Sequence, residues 1–234
     1  MEIKKIATIR NDYTGSFGIP RQSGVVPSVE SRIIFEKEYR NADAIRGIED
    51  FSHLWLIWNF SEVPVSDRFI PTVRPPKLGG NTRVGVFATR SPFRPNALGL
   101  TVVRFVRTES GPEGPALVVT GADLKNGTPI YDIKPYIPYA DSVPDAVGGW
   151  AEEHANDRLT VHFSKEAREG AAALGFNDAW LTALSEVIAA DPRPAYQEDP
   201  DRRYGMRFGA AEAAFYVKEN KATVTEIVAA DAKI

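Results

Sequence analysis

The first 144 residues carry seven short strand-like segments and no sustained helical periodicity. Residues 3–10, 32–38, 53–60, 83–88, 98–107, 116–120 and 130–134 are rich in β-branched or aromatic side chains and are separated by Gly, Pro, Asn and Asp. Leu54, Leu56, Trp58 and Phe60 alternate onto one face of the third segment, and His53, Trp55, Ile57 and Asn59 onto the other. Residues 41–47 are the one stretch suited to a short helix. Seven short strands with turn signals predict a barrel or a sandwich. Strands do not alternate with long helices, which speaks against a doubly wound sheet.

The character changes near residues 144–157, where Pro144, Gly148, Gly149 and a polar stretch read as a linker. Beyond it the pattern predicts a strand (158–163), a helix opened by Ser164 as N-cap (165–174) and a helix from Asn177. In the second helix Leu181, Leu184 and Ile188 recur at helical spacing, and Asp191-Pro192 stops it. A strand at 204–208 and a hairpin of 215–218 with 222–228 across Glu219-Asn220-Lys221 follow. The chain thus divides into a β domain, 1–144, and a small α+β domain, 145–234.

At 234 residues the chain can bury a core without staples. It has no cysteine, which excludes disulfides, thiolate zinc sites, iron–sulfur clusters and a cysteine nucleophile. Three histidines (His53, His154, His162) leave little for a metal site, so none is expected. The N-terminus leads into no apolar signal segment, and the longest uncharged apolar run, 51–61, is too short to span a bilayer. These features predict a cytoplasmic protein without a membrane partner.

The net charge of -3 argues weakly against nucleic acid as a partner, but it is an average. Residues 1–144 hold 18 basic and 15 acidic side chains, a net +3, and residues 145–234 hold 10 and 16, a net -6. From Arg68 to Thr108 there are eight basic residues, seven of them arginine, and no acid. Arginine suits forked contacts to phosphate or carboxylate. A solvated face is the plain alternative, but the run also holds the densest motif of the chain and reads as an anion-binding surface.

The glycine motifs of dinucleotide and nucleoside triphosphate sites, the serine-hydrolase elbow and the zinc-protease helix are all absent. Four segments stand out instead. Gly18-Ile19-Pro20-Arg21-Gln22-Ser23-Gly24 is a proline-fixed turn presenting an Arg and a Gln between glycines; alone it would read as a surface loop. Phe51-Ser52-His53-Leu54-Trp55 opens a strand with a polar pair, in which a structural histidine and a functional one are equally consistent. Arg83-Val84-Gly85-Val86-Phe87-Ala88-Thr89-Arg90-Ser91-Pro92-Phe93-Arg94-Pro95-Asn96-Ala97-Leu98-Gly99-Leu100 reads as a strand entering and a strand leaving a proline-braced loop whose polar groups can be pre-positioned for a ligand, a rigid structural turn being the alternative. Asp123-Leu124-Lys125-Asn126-Gly127-Thr128-Pro129 leads through a turn into Asp132, Lys134 and Tyr136, which share one strand face; a salt-bridged edge strand is the structural alternative.

Together these segments, in this order over residues 3–144, resemble the family of S-adenosylmethionine-dependent tRNA N6-threonylcarbamoyladenosine methyltransferases. Asp191-Pro192-Arg193-Pro194-Ala195-Tyr196 is similar to the tail of the bacterial two-domain form. Ala97 departs from the proline common at that position, which should loosen the loop slightly. The resemblance implies a mostly β chain: a β-barrel methyltransferase domain with a small C-terminal α+β domain. It also implies a homodimer with S-adenosylmethionine bound near the subunit interface, acting on tRNA that carries N6-threonylcarbamoyladenosine beside the anticodon. Carried over residue by residue, it implies cofactor contacts from Arg21, Gln22, Ser23 and Gly24, from Ser61 and Glu62, from Arg90 and Leu100, and from Asp123, Leu124, Lys125, Asn126 and Gly127.

Methyl transfer from a sulfonium needs no metal and no covalent enzyme intermediate, so alignment and exclusion of water are the main tasks. The accepting nitrogen is urea-like and a poor nucleophile, so loss of its proton would help. Asp132, Tyr136, Asp141 and His53 are the candidate bases, and Lys134 or Arg90 could balance negative charge on the substrate. Arg74, Lys77, Arg83 and Arg94 are the candidates for tRNA phosphate contacts. Three other functions fit part of the pattern: a non-enzymatic RNA-binding barrel, a sensor of a nucleotide-like ligand, and a methyltransferase of this fold with another substrate.

Overall fold

Alternation of apolar and polar residues produces strands with one buried face, and six of them close on each other. The computed structural model describes residues 2–64, 68–78, 81–154, 157–193 and 199–230. The ring is formed by β1 (Ala7–Arg10), β2 (Glu30–Phe35), β3 (His53–Asn59), β6 (Leu98–Gly111), β7 (Gly114–Thr120) and β8 (Pro129–Pro135). A two-stranded hairpin, β4 (Thr72–Val73) and β5 (Val84–Gly85), lies within the long connection from β3 to β6. The order β1-β2-β7-β6-β3-β8 is a closed barrel, joined by antiparallel pairs Ala7↔Ile130 and Thr8↔Pro129 between the first and last strands. Ile9, Ile33, Leu54, Leu56, Leu117, Leu124 and Ile130 fill its core.

After the one-turn helix α1 (Pro138–Asp141) the chain builds a second core. Strand β9 (Thr160–Phe163), helices α2 (Lys165–Ala173) and α3 (Asp178–Ala189), and strands β10 (Tyr204–Phe208), β11 (Ala211–Lys218) and β12 (Lys221–Ala229) follow in order. The sheet runs β10-β11-β12-β9, with β9 parallel to β12. Ser164 caps α2 by accepting from the Ala167 amide (3.1 Å), and Asn177 caps α3 by accepting from the Trp180 amide (3.0 Å), as the sequence predicts. The hairpin between β11 and β12 turns on Glu219 and Asn220 alone, both in the left-handed region, so Lys221 belongs to the strand rather than to the turn.

Several elements are shorter or shifted relative to the sequence reading. Residues 3–6 precede β1, because β8 offers β1 only a short partner. Residues 83–88 give a two-residue strand and then a 3-10 turn, Val86–Ala88. Residues 41–47 form a 3-10 turn, Ala42–Ile45, capped by Asn41.

The connection from β1 to β2 belongs in packing to the second core. Tyr13, Val26 and Val29 are buried with Leu184, Val187, Met206, Phe208 and Phe215, and Phe17, Ile19 and Val25 pack against that cluster. Gly18 has φ +101°, and a Cβ there would lie 2.5 Å from Met206 Sδ. The Asp12 carbonyl accepts from the Gly209 amide (2.7 Å), and the Thr14 hydroxyl donates to the Gly209 carbonyl (3.1 Å).

Gly99 shows how closely the barrel is packed behind its loops. It pairs with Trp58 across β3 and β6, and a Cβ on it would lie 2.1 Å from the indole ring. Gly99→Ala should therefore displace Trp58 and destabilise the chain by about 1–3 kcal/mol in denaturant unfolding, the scale of an overpacked core. An unchanged midpoint would show that the indole has room to move.

Candidate active site

Antiparallel pairing sends three connections out of the same end of the barrel. The end of β1, the end of β3 and the start of β8 are neighbours, since Thr8 pairs with Pro129 and Trp58 with Ile130. Residues 11–29, 60–97 and 121–128 therefore meet there, and they carry three of the four segments singled out in the sequence.

The turn 123–127 is fixed by its backbone. The Asn126 amide donates to the Tyr13 carbonyl (3.0 Å), the Gly127 amide to the Ile9 carbonyl (2.9 Å) and the Thr128 amide to the Lys125 carbonyl (3.1 Å). Asn126 Oδ1 accepts from the Asn11 amide, and Asn11 Nδ2 donates to the Leu124 carbonyl (2.9 Å). Gly24 joins the cluster through its amide, which donates to the Gly121 carbonyl (2.9 Å).

Side chains connect the segments. Trp58 Nε1 donates to Thr101 Oγ1 (2.9 Å), and Thr101 Oγ1 donates to Asp123 Oδ1 (2.8 Å). Burial pushes the Asp123 carboxyl above its ordinary value, opposed by the Thr101 hydrogen bond and the Arg90 charge. Arg90 also donates to Gln22 Oε1. Lys125 pairs with Glu62, and its ammonium lies 3.4 Å from Ser16 Oγ. Gln22, Gly24, Glu62, Arg90, Asp123, Lys125, Asn126 and Gly127 are thereby gathered in one place. Arg21 and Ser23 flank Gln22, and Ser61 precedes Glu62. Leu124 differs: its side chain is fully buried in the barrel core, so only its backbone is at the turn. Leu100 precedes the inward Thr101 and points outward, 59% exposed.

The candidate bases Asp132, Tyr136, His53 and Asp141, with Lys134, run along a different surface, while Arg90 belongs to the turn cluster. Asp132 pairs with Ile57, Lys134 with Trp55, and the Tyr136 amide donates to the His53 carbonyl (2.9 Å). At about 3.3 Å per residue, His53 lies roughly 13 Å along β3 from Ile57 and away from the turn cluster. Asp132 Oδ2 is 3.1 Å from Lys134 Nζ, and Asp132 Oδ1 accepts from the Ile133 amide (2.9 Å). Tyr136 packs against His53 (6.3 Å between ring centroids) and Trp55 (5.8 Å), and Ser52 Oγ is 2.9 Å from His53 Nδ1. Asp141 accepts from the Ile137 amide (2.7 Å) and from Trp55 Nε1 (3.0 Å), which hold its carboxyl below the usual range.

The acid-free run is divided by the fold. Arg107 lies on β6 and pairs with Glu30 and Glu109, so it braces the barrel wall. Arg74 and Arg83 flank the β4–β5 hairpin and are exposed. Arg94 donates to the Thr89 carbonyl (3.0 Å), and Ser91 Oγ accepts from the Phe93 amide (3.2 Å), so the proline-braced loop is ordered from within. The side chain of Lys77 and residues 194–196 lie outside the described residues. The sequence reading missed the aromatics on this arm: Phe69 (53% exposed) stacks on Phe87 (72%) with centroids 6.0 Å apart, and Phe93 is 57% exposed. An aromatic in a strand-rich sequence ordinarily signals core, which hid them. It also missed Thr101 and Trp58, whose roles depend on a partner far away in sequence.

Comparison with known proteins identifies the family of the chain. Residues 8–142 match the model of the tRNA-methyltransferase O N-terminal domain, and residues 156–230 that of the TrmO C-terminal domain. The chain is 41% identical over 208 residues to a tRNA (adenine(37)-N6)-methyltransferase of Escherichia coli, covering 88% of each protein. It is 39% identical to a putative S-adenosylmethionine-dependent methyltransferase, RcsF, of Pseudomonas aeruginosa, over 88% of this chain and 87% of that one. A crystal structure of TrmO from P. aeruginosa superposes with a TM-score of 0.78 at 31% identity, covering 98% of this chain and 97% of the other. No helix among the described residues is long and apolar enough to cross a membrane. With both domain models matched in order and relatives aligned along most of its length, this chain belongs to the tRNA-methyltransferase O family.

Proposed function

We propose that this chain is a tRNA methyltransferase that moves a methyl group from S-adenosylmethionine to N6 of N6-threonylcarbamoyladenosine beside the anticodon. The observation that carries the reading is the convergence of Gln22, Glu62, Arg90, Asp123, Lys125 and Asn126 at one barrel end. S-adenosylmethionine supplies a methyl group on a positively charged sulfur, so neither metal nor thiolate is needed. It also carries an ammonium, a carboxylate and ribose hydroxyls. The cluster fits these groups in kind: carboxylates for cations and hydroxyls, guanidinium and ammonium for the carboxylate, and amides for the base.

In the transfer a carbon–sulfur bond breaks, a carbon–nitrogen bond forms, and the N6 proton passes to a base. Asp132, His53 and Tyr136 are the bases proposed, with Lys134 beside Asp132 to balance charge. Asp141 suits this less, because its carboxylate already accepts two hydrogen bonds. Arg74, Lys77, Arg83 and Arg94 are assigned to tRNA phosphates, and the exposed Phe69–Phe87 pair supports an RNA-facing arm. The domain division at 144/145 and a cytoplasmic location belong to the same reading.

A homodimer reconciles the two surfaces. Leu100, Ile57 and Asp132 lie side by side on the outer wall of β6, β3 and β8, on the face opposite inward Thr101, which reaches Asp123. A second chain on this wall would bring its turn cluster to these residues and cover the exposed Leu100. Leu100→Glu should then give a monomer in light scattering and lose methyl transfer; a dimer of full activity would remove the wall from the interface.

Purified protein with labelled S-adenosylmethionine should label tRNA containing threonylcarbamoyladenosine and leave tRNA lacking that group unlabelled. Equal labelling of both would overturn the substrate assignment, and cofactor binding without a methylated product would favour the sensor or plain RNA binder. Asp123→Asn separates stability from binding. The folded-state pKa of Asp123 lies above its ordinary 3.8, so the folded chain holds this proton more tightly and loses stability as pH rises between the two values. Asn keeps an acceptor for Thr101 without the buried charge. The variant should melt higher than the parent at pH 7 without cofactor, with the gain vanishing below the ordinary carboxylate range, and should bind S-adenosylmethionine more weakly. A lower melting point at pH 7 would show that the carboxylate is compensated in the free protein.

A further inference from the structure

The proposed cofactor turn touches the C-terminal domain as firmly as it touches the barrel. Arg21 Nη2 donates to the Arg193 carbonyl (2.6 Å). Arg193 is held in turn by Asp191, whose carboxylate accepts from its Nε and Nη2, both at 2.8 Å. The Arg193 guanidinium lies 6.0 Å from the Tyr204 ring centroid. Beyond the turn, Glu186 on α3 accepts from the Ser28 amide (3.0 Å) and hydroxyl (2.7 Å). Arg158 donates to the Val25 carbonyl. Between these ties, Val26 and Val29 are buried in the second core. Residue 22, next to Arg21, carries the contact to Arg90 and so to the Asp123 cluster.

We propose that the C-terminal domain is a working part of the cofactor site: the Asp191–Arg193 fork and the Glu186–Ser28 clasp hold the Arg21–Gln22–Ser23–Gly24 turn in its binding conformation. This rests on the reading of that turn as cofactor-binding. It gives a role to Asp191-Pro192-Arg193, which the chemistry of transfer leaves unused. Arg193 and Glu186 are positioning residues, acting on the cofactor through Arg21 and through the backbone at Ser28. The turn belongs to no strand or helix and is tied to the barrel at Gly24 and Gln22, so without the C-terminal ties more of its ordering entropy would fall on ligand binding.

The test uses the full chain. Arg193→Ala and Glu186→Ala should each weaken S-adenosylmethionine binding to the tRNA-free protein about fivefold by calorimetry, the scale of one net hydrogen bond. The KM for cofactor should rise in step, and the KM for tRNA should not change. Amide exchange of residues 21–24 should quicken in the absence of any ligand. Arg193→Lys and Glu186→Gln, which keep a donor and an acceptor in place, should recover part of the affinity and also serve where an alanine variant folds poorly. If Arg193→Ala raises the KM for tRNA and leaves cofactor affinity intact, Arg193 is a phosphate contact and the proposal fails. Arg90→Ala distinguishes the two levels of failure. Affinity lost in Arg90→Ala but intact in both alanine variants overturns the positioning role alone. Affinity intact in all three places the cofactor elsewhere and overturns the reading of the turn as well.

Discussion

Tyr13 belongs to two structures at once, and the site depends on that. Its ring is buried in the C-terminal core, 6.2 Å from Phe208, while its carbonyl accepts from the Asn126 amide of the barrel turn. The hydroxyl is buried without a hydrogen-bond partner among the described residues, and burial raises its pKa, helped by the charges of Glu186, Asp123 and Asp12. Burying such a ring contributes roughly 1.5–3 kcal/mol, and an unpaired hydroxyl costs about 1–3. The two terms nearly cancel. What Tyr13 adds is therefore position: it fixes where the β1–β2 connection crosses from one core to the other.

Barrel closure decides the rest of the layout. An antiparallel ring alternates its connections between two ends, and here those from β1 to β2, β3 to β6 and β7 to β8 share one end, while the 17-residue connection from β2 to β3 lies at the other. The sheet's wall then separates inward Thr101, which reaches Asp123, from outward Leu100 one residue earlier. A register shift between β3 and β8 at Ile57–Trp58 lies at this same end. Such a shift bends and twists a strand locally, and it falls where Trp58 turns inward to Thr101 and Ile57 stays on the wall beside Asp132.

Features fixed by local chemistry were legible in the sequence. The alternation of β3, the caps Ser164 and Asn177, the existence of the β11–β12 hairpin and the barrel-or-sandwich class all depend on neighbours within a few residues. Three of the four motif segments also come together at one barrel end, as their concentration of prolines, glycines and amides suggests for a ligand site. What stayed hidden depends on distant partners. Val25, Val26 and Val29 sit among Gly, Pro and Ser and show no period, so nothing local places them in the second core. Leu124 lies between two polar turn residues, yet its side chain turns into the barrel. Arg107 continues a run of basic residues, and only the pairing of β6 with its neighbours brings it to Glu30 and Glu109.

Electrostatics gives the uneven charge along the chain a physical use. An average of -3 would repel a polyanion at long range, but the field at a surface follows the nearest charges once screening cuts in at about 8 Å in physiological salt. The arm with exposed Arg74 and Arg83 is free of acids, and the residues beyond 144 carry the net -6. Under the proposed function, such a distribution would attract a polyanionic substrate to one part of the molecule and repel it from another, orienting its approach as well as strengthening it. The acidic excess of the C-terminal residues then agrees with their packing: they hold the turn from behind with hydrogen bonds and apolar contacts and leave the basic arm as the attractive face. The opposite signs of the two parts suit a division of labour in which one positions and the other receives.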